Sequence, residues 1–216
     1  MNIVEAGYTI LRPQALDENS RKAILQIIER VGRTCYKSED LITDTSASNF
    51  VKKIMSRKHY GLLEHASLTV AWTVDIGVGR EMVRHRIASY AQESTRYCNY
   101  SKHKFGAQIT VVRPWKFEPG TRSFDTWRRQ CKEAEDAYFD LLEDESPEWA
   151  RTVLPISTKA DLVSTMNLRE WRHFFQLRAA ELTGRAHPQM KQVTVPLLHE
   201  LQDFLPEIFG DIEEMK

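Results

Sequence analysis

The chain has 216 residues, is 42% hydrophobic and 28% charged, and sets thirty basic residues against thirty acidic ones. That length suits one large domain with a buried core, and zero net charge leaves no global field to draw the protein to nucleic acid or anionic lipid. The three cysteines, Cys35, Cys98 and Cys131, are too few and too widely spaced for a disulfide framework and contain no CxxC metal pair, so reduced thiols are expected. No apolar run approaches the roughly eighteen residues of a membrane span, and MNIVEAGYTILRP lacks the apolar stretch of a signal peptide. A cytoplasmic protein is expected.

In chain order, residues 3–11 (IVEAGYTIL) predict a first strand closed by Pro13. Residues 17–31 predict a helix with Ile24, Leu25, Ile27, Ile28 and Val31 on its apolar face and Asp17 or Asn19 as its cap. A polar turn, GRTCYKSED, leads to a second helix over 45–56, where Phe50, Ile54 and Met55 fall at helical spacing. His59, Glu64 and His65 invite a metal reading, but four residues separate His59 from Glu64 where the inverted zinc-protease motif has two, so no metal site is expected. Residues 67–76 (SLTVAWTVDI) predict a well-buried strand punctuated by Gly77 and Gly79, and the chain turns helical near Val78. Gly77-x-Gly79 lacks the third glycine of a dinucleotide-binding fingerprint.

The stretch 80–97, REMVRHRIASYAQESTRY, concentrates the chemistry. Four arginines, one histidine and two acidic residues lie among Ser89, Ser94, Thr95 and Tyr97. Arginine forks and hydroxyls suit a phosphate, while aromatic and amide groups suit a ring, so a flat, multiply charged small ligand fits. A basic surface helix followed by a polar loop is the plainer reading, with Glu81 and Arg84 as an ordinary surface pair. Residues 87–97 are expected to be an extended loop. Residues 109–114 predict a short strand, and a long helix follows over 123–142. Ser146-Pro147-Glu148 starts a short helix that reaches Arg151 and stops before Pro155, so Arg151 is either a helix-terminal charge or a ligand contact. Residues 158–166 predict another strand. A helix over 167–178 follows, with Asn167 as cap and Glu170 completing a capping box. Trp171 and Phe175 are core residues there, whereas Arg178 needs an anionic or carbonyl partner. The last helix, within 186–209, is amphipathic with a kink or break at Pro196, and the acidic tail GDIEEMK is expected to fray.

Several of these segments carry a resemblance. Arg84-His85-Arg86 followed after seven residues by Ser94, within RHRIASY and QESTRY, resembles the signature of the flavin-dependent thymidylate synthases. His59 with Glu64-His65, Arg151 before Val153-Leu154-Pro155, and Asn167-x-Arg169 followed by Leu177-Arg178 match further family segments, so the resemblance spans nearly the whole chain. It implies an α+β fold, a single domain over 1–216 with a mixed or antiparallel sheet flanked by helices. It also implies methylation of dUMP to dTMP, with methylenetetrahydrofolate as carbon donor and NADPH-reduced FAD as hydride source. The assembly it implies is a homotetramer whose sites combine residues from several copies, with neither nucleic acid nor membrane as partner.

The same resemblance assigns residues. Arg178 activates the pyrimidine. Glu81, Arg84, Gln92, Glu93, Ser94, Thr95, Arg96 and Arg151 bind the substrate, and His59, Gly61, Arg84, His85, Arg86, Gln92, Asn167, Arg169 and His173 meet the flavin, with Tyr97 beside its rings. The sequence departs from many relatives at Gly61 (Ser or Thr) and Glu81 (Gln), and from some at Ala91-Gln92 (Asn-Glu) and His173 (Asn). None of the cysteines follows a proline, against the Pro-Cys nucleophile of folate-only synthases. The competing class is an RNA- or nucleotide-binding module using 80–97 with Tyr90, Tyr97 and Tyr100 for stacking. Neutral charge and the second arginine cluster at 151–178 weigh against it.

Overall fold

The structure, a computed structural model, describes residues 1–214. In chain order its elements are β1 (Asn2–Val4), β2 (Gly7–Arg12), α1 (Glu18–Thr34), α2 (Ser46–Ser56), β3 (Ser67–Asp75), α3 (Ile76–Met82), β4 (Ala88–Gln92), β5 (Thr110–Val112), α4 (Arg122–Asp144), α5 (Pro147–Ala150), β6 (Lys159–Asn167), α6 (Leu168–Arg178), α7 (Pro188–Phe204) and α8 (Pro206–Phe209). Short 3-10 turns include Tyr60–His65 and Arg151–Val153. The class is the expected α+β. Among the described residues no helix is long and apolar enough to cross a membrane.

A four-stranded sheet has the order β2-β3-β6-β4, and a separate two-stranded sheet pairs β1 with β5 in parallel, Ile3 opposite Val111. β3 and β6 are antiparallel: Thr69 lies beside Thr165 (2.9 Å between hydroxyls) while Thr73 donates to Asp161 at 3.3 Å, so partners advance in opposite senses. Strict alternation buries Leu68, Val70, Trp72 and Val74 on β3, and Ala160, Leu162, Ser164 and Met166 on β6.

The strand read over 3–11 is two strands in different sheets, separated at Glu5–Ala6, where the Glu5 carboxylate accepts from Arg113 Nε at 2.6 Å. The loop read over 87–97 begins as β4, the edge strand of the larger sheet. Its polar sequence ASYAQ suits an edge, where one side of the strand needs no apolar partner.

Chain contacts divide the molecule into two compact units. The first comprises residues 1–7, 72–84 and 90–163. Its core gathers Tyr100, Ile109, Val111, Cys131, Tyr138 and Ala150, with α4 contributing Cys131 and Tyr138. Glu135, buried on the same helix, accepts from the Ile109 N–H at 3.0 Å and from Lys132 Nζ at 2.7 Å. Burial alone would raise its carboxyl pKa, but these donors hold it below the ordinary range.

The second unit comprises residues 8–71, 85–89 and 164–214 of the described chain. α1 starts where Asp17 accepts from the Ser20 N–H at 2.8 Å, the cap its sequence offers. In α6, spacing places Trp171, Phe174 and Phe175 on one buried face; Trp171 and Phe175 stack at 5.5 Å, and the Trp171 indole N–H donates to the Leu68 carbonyl at 3.2 Å. Arg172, also buried, donates to Asp211 Oδ2 at 2.8 Å and lies 5.2 Å from the Tyr60 ring centre. Of the kink or break expected at Pro196, the break is absent: α7 runs on through that residue. Residues 215–216 of the acidic tail lie outside the described residues.

Candidate active site

In the first unit, the side chain of Asp75 opens α3 by accepting from the Val78 N–H at 2.7 Å, and one turn later the helix presents Arg80. β4 ends at Gln92 and passes into 93–95, while Arg151 begins the 3-10 turn that follows α5. These segments line a cavity of about 730 Å³ with Arg80, Gln92, Glu93, Ser94, Thr95 and Arg151 on its polar side and Leu154 and Ile156 on its apolar side. Arg80 forms no ion pair among the described residues, and Arg151 makes one long contact, 3.5 Å to Thr95 Oγ1. Two guanidiniums without carboxylate partners, beside two hydroxyls and an apolar wall, make an anion cup able to hold a phosphate monoester.

Glu93 lines this cup, but its carboxylate is engaged elsewhere. Oε1 accepts from the Tyr100 hydroxyl at 2.9 Å, and Oε2 from Lys159 Nζ at 2.9 Å and the Asp161 N–H at 3.3 Å. Burial first and Glu93 second push the Tyr100 phenol far above its usual range. Gln92 reaches over Gly79, where an added methyl would stand 2.9 Å from Gln92 Nε2. Three predicted substrate residues of this unit do not line the cup. Glu81 is half-buried on α3, Arg84 is exposed in the turn after it, and Arg96 is ion-paired with Glu148 at 2.9 Å above the Tyr97 ring. Arg80, which the predicted substrate set does not include, lines the cup. The signal for it was present, since Arg80 lies one turn ahead of the motif.

In the second unit, Asn167 caps α6, its Oδ1 accepting from the Glu170 N–H at 2.9 Å. The predicted capping box is not the use of Glu170, whose carboxylate meets His85 instead (Oε1 to Nδ1, 3.2 Å). Asn167, Arg169, His173 and Gln176 line a cavity of about 410 Å³ with Tyr60 and Ile87. Arg169 donates to Glu64 at 2.6 Å in an exposed pair worth little stability. His59 and Gly61 line a different cavity, about 750 Å³, with Cys35, Lys53 and Arg57; Gly61 faces open space.

Arg86 is exposed, whereas His85 is only 5% exposed and accepts at Nε2 from Arg178 Nε, 3.1 Å away. Burial first, then the Arg178 charge, then His173, push the His85 pKa down from 6.5 to about 4. Burial pushes Glu170, 6% exposed, upward. His85, Glu170 and His173 offer donor atoms within 4.8 Å of one another, but the adjacent Arg178 charge opposes a cation there.

The residues present fit a flavin dinucleotide by donor chemistry. Lys53 and Arg57, on one cavity, form no ion pair among the described residues and suit a pyrophosphate; Arg86, exposed and lining neither cavity, is likewise without an ion pair there; Asn167, Gln176 and His173 offer amide and imidazole groups to a ring edge.

Comparison with known proteins follows the same lines. The fold is similar to that of the UMP/dUMP methylase PolB from Streptomyces cacaoi, solved with 5-Br dUMP, with a TM-score of 0.74 at 21% identity over 97% of this chain and 96% of that one. In sequence, a flavin-dependent thymidylate synthase of Geobacter sulfurreducens is 37% identical over 192 residues, 83% of this chain and 78% of the relative. One from Mycolicibacterium vanbaalenii is 31% identical over 209 residues, 87% and 79% of the two chains. The family model described as thymidylate synthase complementing protein matches residues 19–207. The chain belongs to the family of flavin-dependent thymidylate synthases, which are enzymes.

Proposed function

We propose that the protein methylates dUMP to dTMP, taking the carbon from methylenetetrahydrofolate and the hydride from NADPH-reduced FAD, without a cysteine nucleophile. The observation that carries this reading is the anion cup of Arg80, Arg151, Ser94 and Thr95, sized for one nucleotide, in a chain of this family. The phosphate end is assigned to that cup and the base edge to Gln92. Arg178, with a permanent positive charge, is assigned to the pyrimidine N3–O4 edge, where it stabilises the anionic character that makes C5 nucleophilic. FAD, when bound, supplies the redox step. Asn167, Arg169, His173, Arg86, His59 and the backbone at Gly61 are the residues assigned to hold it. Cys131 supports a route without thiol addition, being buried against Ser157 (3.4 Å between Sγ and Oγ) with burial pushing its thiol pKa up. The assembly proposed is a homotetramer with sites shared between copies, in the cytoplasm.

The test is direct. Purified protein incubated with FAD and desalted is expected to keep a visible flavin band that NADPH bleaches anaerobically, and to form dTMP when dUMP and methylenetetrahydrofolate are added. A colourless protein that refuses FAD would overturn the reading in favour of a nucleotide-binding module.

The cup makes its own prediction. Phosphate contacts act equally on ground and transition states, so Arg80→Gln and Arg151→Gln are each expected to raise KM for dUMP by about tenfold with kcat within about twofold. Steady-state kinetics at saturating folate and NADPH decide it, and a fall in kcat with unchanged KM would remove these residues from the cup.

A further inference from the structure

We propose that Glu170 and His85 form a buried relay that fixes the orientation of Arg178, which makes both of them positioning residues for pyrimidine activation. The inference rests on the reading of Arg178 given above and adds how its guanidinium is held. Three contacts define the arrangement: Glu170 Oε1 to His85 Nδ1 at 3.2 Å, His85 Nε2 to Arg178 Nε at 3.1 Å, and the Thr194 hydroxyl from α7 donating to the Arg178 carbonyl at 2.9 Å.

Donor chemistry settles the protons. A guanidinium has only N–H donors, so His85 Nε2 must accept and carries no hydrogen. A neutral imidazole then bears its proton on Nδ1, facing the Glu170 carboxyl, which accepts it. Each link dictates the next: the carboxyl selects the tautomer, the tautomer presents a lone pair, and the lone pair fixes the rotation of the guanidinium about its Cδ–Nε bond. The ring cannot swing away, because Phe174 packs edge-on against it at 4.9 Å and His173 stands at 5.8 Å.

Burial separates this from an incidental surface contact. Glu170 and His85 are 6% and 5% exposed, and two polar groups withdrawn from water need partners of this quality to be tolerated. Glu170 also has a simpler use, closing a capping box at Asn167, which the structure does not make of it. A carboxyl that orients a histidine, which in turn orients the working group, is the logic of outer partners at metal and nucleophile sites, here directed at an arginine.

The test has one arm that needs no turnover. Nitrogen NMR of protein labelled with 15N-histidine at pH 7, with His85 assigned by its loss in His85→Gln, is expected to show the neutral Nδ1–H tautomer. The Nε2–H tautomer or an imidazolium there would overturn the relay. In the second arm, Glu170→Ala is expected to lower kcat about 10- to 100-fold with KM for dUMP within about twofold, and to lose the fixed tautomer. Glu170→Gln, whose amide oxygen can still accept from Nδ1–H, is expected to stay within about threefold of wild type. Wild-type kcat in Glu170→Ala would overturn the proposal, as would equal losses in the two variants, which mark a merely structural role. Should Glu170→Ala not fold, the wild-type tautomer decides alone. A wild-type protein that forms no dTMP counts against the proposed function, and the tautomer still tests the relay.

Discussion

Replacing Arg178 by alanine is expected to lower kcat by about 10²- to 10³-fold while dUMP continues to bind, the scale seen when one preorganised donor is removed from a developing negative charge. In the proposed assignment the phosphate sits in the cup lined by Arg80, Ser94, Thr95 and Arg151, so binding would not depend on Arg178. Activation of C5 requires charge to build on the pyrimidine, and a fixed cation lowers that barrier without reorganising. The cation is held in place from behind by His85, so water in the emptied position would be a poor substitute. Isothermal titration with dUMP and single-turnover kinetics separate the two quantities. Near-normal turnover with intact binding would remove Arg178 from the chemistry. Lysine is expected to restore little, because an ammonium cannot present both an Nε–H to His85 and a planar edge to a base.

Acid is expected to weaken the fold through His85. A histidine whose pKa is depressed in the folded state takes up its proton more readily once unfolded. Above about pH 6.5 both states are neutral and the group has no effect. As pH falls from 6.5 to about 4, the unfolded chain gains a proton that the folded chain refuses, so stability is lost, and the loss is complete below about 4. Its size is about 3 kcal/mol, the shift converted at 1.36 kcal/mol per pH unit. The titratable and charged groups facing His85 include Glu170, His173 and Arg178 of α6. Glu170 acts with the opposite sign: its raised pKa adds stability as pH falls. The measurement is therefore made in a Glu170→Gln background, comparing denaturant unfolding with and without His85→Asn from pH 7 to 4. The histidine-containing protein should lose about 3 kcal/mol more. Parallel stability curves would mean that His85 is not buried neutral.

Much of the fold could be read from the chain because local signals agreed with one another. Helical spacing in 17–31 and 167–178 came with side-chain caps at Asp17 and Asn167, and period-two alternation in 67–76 marked a strand buried on one face. Where signals were local but outcomes were not, the reading went astray. Nothing in IVEAGYTIL tells that its halves join different sheets, and ASYAQ is polar because it lies at an edge, a fact belonging to the whole sheet. The site divides similarly. The motifs named Ser94, Thr95, Arg151 and Gln92, which the structure brings to one cup, and Asn167, Arg169 and His173, which it brings to one cavity. They did not reveal that Glu93 turns to Lys159 and Tyr100, that Arg80 enters the cup while Arg96 pairs with Glu148, or that His85 lies behind Arg178. Apart from the Glu93–Tyr100 contact, seven residues apart, the ion pairs and hydrogen bonds named depend on partners more than fifty residues away, which spacing within one segment cannot supply.

The clasp on Glu93 has a consequence for recognition. With its carboxylate tied to Tyr100, Lys159 and the Asp161 N–H, and its own N–H donating to the Asp161 carbonyl at 2.8 Å, the hinge between β4 and the hydroxyl-bearing loop is set when the chain folds. On the proposed assignment, an arriving nucleotide would meet donors already in place and lose little affinity to loop ordering. A handful of contacts at Arg80, Ser94, Thr95 and Arg151 can then suffice for a small, strongly hydrated anion, and association need not wait on a slow rearrangement of the loop.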